Sequence, residues 1–160
     1  MNQRSTFTLA AIAALALPPS SIVAQQGTLK QQLAGSWTLV SYVSTPNSPF
    51  GVNPKGILIL EAGGHYAELF GRPDRPKYKN PSQPTTEERL AAQPFAANYG
   101  TWSVSEADKT LTQRFEGAAV PNNEGADVKS SVTLAGDELK LTRVLPSTGS
   151  RQEFVYRRAR

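Results

Sequence analysis

The side chains that perform most enzyme chemistry are scarce in this chain. Among its 160 residues there is one histidine, His65, and no cysteine. A zinc site needs three or four nitrogen or sulfur ligands at defined spacing. His65 and Glu68 could supply two ligands, but at i and i+3 of a strand they point to opposite faces. No metal site is expected. No serine sits in a nucleophile elbow, and without cysteine a nucleophile–base pair is hard to assemble. No glycine-rich loop follows a strand and opens a helix, so nothing prepares a phosphate cradle and no cofactor is expected.

Polar residues on apolar strand faces are more informative. By two-residue alternation, Ser41, Gln113 and Arg143 fall among Trp37, Leu39, Trp102, Val104, Leu111, Phe115, Leu139 and Leu141. A buried arginine must find partners or keep its end hydrated. Either these polar groups satisfy one another, or Arg143 and Gln113 meet the polar head of a lipophilic ligand whose tail lies among the aromatics. His65 follows a Gly63-Gly64 turn and is expected at a barrel rim, where it could touch a ligand. Tyr66, Glu68 and Phe70 then occupy the other face of its strand. A reversed parity would turn Glu68 inward, to pair with Arg114 or Arg143.

The elements that must position these groups read as strands. Gly35 to Val43 alternates, Ile57 to Leu60 is a short apolar run, and His65 to Phe70 returns after the glycine turn. Arg72 to Pro84, with Pro73, Pro76, Pro81 and Pro84, cannot be a central strand. Thr85 and Glu88 have capping-box spacing and open one short helix, which Pro94 should end. Tyr99–Ser105 and Thr110–Phe115 alternate again. Pairing across the Gly136-Asp137 turn sets Leu134 opposite Leu139, Val132 opposite Leu141 and Ser130 opposite Arg143, a register that keeps one face apolar. Arg151 to Arg158 is the last strand. The fold class is all-β: an eight-stranded antiparallel up-and-down barrel with one inserted helix, a β-sandwich being the alternative.

Residues 1–24 have the grammar of a signal peptide: Arg4, an apolar Phe7–Leu17 core and a small residue, Ala24, before the cut. The expected product is a single exported domain over residues 25–160, periplasmic or extracellular and without disulfides. The charge of +4 is dispersed, with no basic stripe interleaved with aromatics, so nucleic-acid binding is not expected. No later run is long and apolar enough for stable membrane insertion.

Gly35-Ser36-Trp37 resembles the Gly-x-Trp of lipocalins. The resemblance implies a tryptophan plug at one barrel end, with an arginine of the last strand, Arg157 or Arg158, packed across it. Asn53-Pro54-Lys55-Gly56, Gly64-His65-Tyr66, Arg72-Pro73-Asp74-Arg75-Pro76, Tyr99-Gly100-Thr101-Trp102, Pro121-Asn122-Asn123-Glu124-Gly125 and Gly136-Asp137-Glu138-Leu139 are similar, in that order, to the bacterial lipocalin-like domain family. That similarity covers nearly the whole chain after residue 24. It implies a calycin-type barrel, and it supports the fold more than any activity.

The functional expectation is a barrel that binds a small lipophilic molecule with an acidic or carbonyl head, contacted by Trp37, Ser41, His65, Trp102, Gln113, Phe115 and Arg143. One alternative is an isomerase or cyclase with His65, Glu68 or Tyr99 as acid or base. Another is a filled barrel acting through surface protein contacts, for instance at Arg72 and Arg75.

Overall fold

Alternating inward and outward side chains generate eight antiparallel strands in succession: β1 (Gly35–Thr45), β2 (Lys55–Leu60), β3 (His65–Gly71), β4 (Phe95–Ser105), β5 (Thr110–Ala118), β6 (Asp127–Ala135), β7 (Glu138–Val144) and β8 (Arg151–Arg158). The computed structural model describes residues 27–160, Val52 apart, so the expected leader over 1–24 lies outside the described residues. β1 pairs with both β2 and β8, closing the barrel in strand order. Closure leaves no free sheet edge, which disposes of the sandwich alternative. The register across Gly136-Asp137 is the expected one, Ser130 facing Arg143, Val132 facing Leu141 and Leu134 facing Leu139.

The two ends of the barrel differ. At one end the connections are tight hairpins, and a short helix, α1 (Leu29–Leu33), lies across them. The sequence reading missed α1, although Thr28 and Gln31 form a reciprocal capping box. Its Leu29 and Leu33 bury against Trp37, whose indole N–H donates to the Leu33 carbonyl at 2.8 Å. The Glu106 carboxylate accepts the amides of Leu29 and Lys30 at 3.0 and 3.2 Å. Of the two candidate arginines, Arg158 covers the plug. Its guanidinium lies 4.1 Å above the Trp37 ring and donates to the carbonyls of Ala34 and Gln32. Trp102 belongs to this end too, donating to the Glu61 carbonyl at 2.8 Å beneath Lys30.

The opposite end carries the long loops. The β3–β4 connection contains the expected helix, α2 (Thr86–Ala92), with Thr85 and Glu88 capping each other. The two arginines of its basic segment are satisfied within the loop: Arg72 grips Asp74 through two hydrogen bonds. Arg75 donates to the Ala92 carbonyl and stacks 4.9 Å from the Phe95 ring. Both arginines are thus occupied in shaping the loop.

Two irregularities redirect side chains. Between Leu39 and Ser41 the β1–β8 register shifts by one residue. A second shift follows Tyr99, where a Cβ on Gly100 would come within 2.0 Å of the Arg114 carbonyl oxygen, so only glycine fits.

Candidate binding site at the open mouth

Beneath the open end, seven polar side chains from six strands form one connected network. Glu68 (β3) and Arg143 (β7) are 0% and 4% exposed and form an ion pair at 3.0 Å. The same guanidinium donates to Gln113 Oε1 (β5) at 3.1 Å and to Gln152 Oε1 (β8) at 2.9 Å. Gln152 in turn donates to the Tyr42 hydroxyl (β1) at 3.2 Å. Glu68 also receives Tyr156 O–H (β8) at 2.7 Å, with Asn98 (β4) adding a longer contact at 3.3 Å. The Phe154 ring lies 4.4 Å from the guanidinium carbon. A buried ion pair persists only when further hydrogen bonds satisfy both partners, and this one has them.

The electrostatics follow from burial. Desolvation is the largest single influence and works against the Arg143 cation. The Glu68 charge and hydrogen bond, together with Tyr156 and Tyr66, outweigh it, and the guanidinium is held more firmly protonated than usual. Burial raises the Tyr42 phenol above its ordinary value, with Ser44 and Arg143 partly opposing the shift. Burial, reinforced by the Glu68 charge, also pushes Tyr66 and Tyr156 upward. All three are neutral hydroxyls at physiological pH. Four buried polar atoms beside or near the network make no hydrogen bond: Tyr66 Oη, Asn98 Oδ1, Gln113 Nε2 and Ser130 Oγ.

The network reaches the open mouth through Tyr42 and Gln152. A cleft of about 480 Å³ opens between the β1–β2 loop, with Pro46, Pro49 and Phe50, and the β7–β8 loop, with Leu145, Thr148 and Ser150; Tyr42, Ser44 and Gln152 line it from the barrel side. Phe50 packs against Tyr42 and Phe70 at centroid distances of 5.4 and 4.7 Å. Phe154 continues this aromatic column inward, 4.9 Å from Tyr42 and 5.8 Å from Tyr156. Another groove, of about 470 Å³, lies on the outer wall around Ala67, Ala97, Tyr99 and Gly117. Small side chains dominate it, and it meets the polar network only through Asn98. The mouth cleft combines apolar walls with convergent polar groups, the usual make-up of a small-molecule site.

A family model described as "Lipocalin-like domain" matches residues 34–158, all eight strands of the barrel. The chain belongs to the lipocalin-like domain family. Among solved structures, this lipocalin-like barrel is similar to a crystal structure of a mutant of the fluorescent protein UnaG. That likeness has 11% sequence identity and a TM-score of 0.38, covering 81% of this chain and 97% of the other. No curated protein matches the chain.

The lipocalin-like barrel unites some of the expected site residues and separates others. Gln113 and Arg143 meet in the network. Phe115 faces inward, 6.2 Å from the Tyr66 ring. Trp37 and Trp102 also face inward, but they pack the end sealed by α1. Ser41 does not face inward: the extra residue at the β1 bulge pairs it with Val155 on the outer side and turns Tyr42 and Ser44 inward instead. His65 is exposed, and it stands at the sealed end, because the Glu61–Gly64 turn delivers Tyr66, Glu68 and Phe70 to the interior. Glu68 therefore takes the alternative parity and chooses Arg143. Arg114 lies outside, paired with Asp127. His65, Glu68 and Tyr99 are not brought together as an acid–base set, since Tyr99 is exposed on the outer wall.

Tyr42, Phe50 and Gln152 were missed. Gln152 had a signal, since it shares the two-residue alternation of Phe154 and Tyr156. Phe50 sits in an aperiodic loop and Tyr42 depends on the bulge, so periodicity could not reveal either.

Among the described residues no three His, Cys, Asp or Glu side chains gather as a metal site would require. Nor is any described helix long and apolar enough to cross a membrane.

Proposed function

We propose that this lipocalin-like protein binds a small lipophilic molecule in the cleft at the open mouth. The observation that carries the reading is the pairing of an aromatic and proline-rich wall with the hydrogen-bonding edge formed by Tyr42, Ser44 and Gln152. Its volume, about 480 Å³, is in the range of small-molecule pockets. Behind that edge the barrel is occupied by Phe70, Phe154, Tyr156 and the ion pair, so the ligand rests on the core and does not thread through it. The leader read in residues 1–24 would place this binding outside the cytoplasm.

The test is retention of a ligand from a lipid extract. The full chain is incubated with the extract and examined by native mass spectrometry, and nuclear magnetic resonance locates any guest. A retained small molecule that shifts the signals of Tyr42, Phe50 and Leu145 supports the reading. Replacing Phe50 with Glu puts a charge in the aromatic wall and should weaken retention by about tenfold or more. If nothing is retained, or the guest perturbs only the outer wall around Tyr99, the mouth is not the site.

A further inference from the structure

The direction of the hydrogen bonds beneath the cleft specifies which head group it accepts, an inference that rests on the mouth being the binding site. A guanidinium has donors only. Arg143 Nε therefore fixes the Gln152 amide with its oxygen inward, at 2.9 Å, and its nitrogen toward the mouth. That nitrogen donates to the Tyr42 oxygen at 3.2 Å. Tyr42 thus uses its oxygen as an acceptor from Gln152, and its own O–H hydrogen can turn either to the neighbouring Ser44 or to a guest in the cleft. The edge of the cleft presents hydrogens to a guest.

Charge narrows the choice further. The residues lining the cleft include no Lys, Arg, His, Asp or Glu. The nearest buried cation, Arg143, is already balanced by Glu68 at 3.0 Å. A carboxylate placed on Tyr42 would lose water without gaining an unpaired positive charge, a desolvation that hydrogen bonds to neutral donors offset poorly. An ammonium would find hydroxyl and amide oxygens on Ser44, Asn47, Thr148 and Ser150 but no carboxylate to balance its charge, so it too would be desolvated without a counter-ion. A carbonyl oxygen has no charge to desolvate and accepts the Tyr42 hydrogen.

We infer that the mouth selects lipophilic molecules ending in an uncharged hydrogen-bond acceptor, a ketone, aldehyde or ester carbonyl, and that Glu68 sets this selectivity by neutralising Arg143. Glu68 is a specificity-determining residue that acts from beneath the site.

A chain-matched series tests this on the full protein: 2-decanone, decanoate, decylammonium and decane, titrated while the signals of Tyr42 and Phe50 are followed. 2-Decanone should bind about fivefold more tightly than decane, the effect of one net hydrogen bond. Decanoate should bind about tenfold more weakly than the ketone. Tyr42→Phe should abolish the ketone's advantage over decane. Glu68→Gln should reverse the selectivity, with decanoate gaining about tenfold or more on the ketone as Arg143 loses its counter-charge. Decanoate matching or exceeding the ketone in the unmodified protein, with the guest still at Tyr42 and Phe50, overturns the inference and leaves the mouth reading standing. If no member of the series binds, decane included, the mouth reading falls and the selectivity with it. Should Glu68→Gln fail to fold, the unmodified protein and Tyr42→Phe decide between these outcomes.

Discussion

Replacing Arg143 with Met tests whether the buried network is the electrostatic keystone of the barrel. The substitution preserves most of the side chain's length and removes its charge. Glu68, fully buried, would keep Tyr156 O–H at 2.7 Å and Asn98 at 3.3 Å but lose its counter-ion. Breaking one side of a buried pair costs about 3–5 kcal/mol, and the two surviving donors place Glu68 near the lower figure. Gln113 and Gln152 each lose the guanidinium as donor to their carbonyl oxygens, adding about 1 kcal/mol between them. The expected loss is about 4 kcal/mol, or about 12 °C in melting temperature for a domain of this size. Urea unfolding followed by tryptophan fluorescence reads it out, since Trp37 and Trp102 are both buried. The double variant Glu68→Leu with Arg143→Met removes both charges and should be about 2 kcal/mol more stable than Arg143→Met alone. If Arg143→Met costs under about 1 kcal/mol, or the double variant is destabilised by the full sum of the single losses, the network is not coupled as its geometry implies.

Two further predictions concern the sealed end and the tyrosines. Arg158→Ala removes the cation above Trp37 and the bonds to the Ala34 and Gln32 carbonyls, so stability should fall by about 2 kcal/mol. Hydrogen exchange should quicken in Leu29–Leu33; unchanged exchange there would show that Arg158 does not hold α1. The fold raises the phenols of Tyr42, Tyr66 and Tyr156, chiefly by burial. Their stabilising contribution is therefore complete below the unfolded value near about pH 10 and declines as pH rises toward their folded values, by at most about 1.4 kcal/mol per pH unit for each phenol. Urea midpoints that stay flat on passing well above about pH 10 would contradict this.

The candidate site was legible where a single strand's alternation decides orientation. Leu111, Gln113 and Phe115 fall on one side of β5, and Leu139, Leu141 and Arg143 on one side of β7, so the inward Gln113 and Arg143 could be read locally. The Gly136-Asp137 turn then fixed the β6–β7 register, because a one-residue slip would have exposed Val132 and Leu141. Parity that depends on an irregularity was not legible. The β1 bulge carries Ser41 outward and Tyr42 inward through a mismatch with β8, more than a hundred residues away in the chain. The Glu61–Gly64 turn sends Glu68 inward and leaves His65 exposed at the sealed end, reversing the reading that gave His65 a place at a ligand.

By itself, the sequence determined an all-β fold of eight alternating strands and the capped helix in the proline-rich connection, because each depends on short-range periodicity or local capping chemistry. The plug built on Trp37 was implied only by the resemblance of Gly35-Ser36-Trp37 to the lipocalin Gly-x-Trp. Only the tertiary structure decided that Glu68 pairs with Arg143, that Arg158 rather than Arg157 covers Trp37, and that Tyr42, Phe50 and Gln152 meet at the mouth. Closing the barrel brings together groups from β1, β3, β5, β7 and β8, and only that closure decides which buried charge lies within reach of which partner.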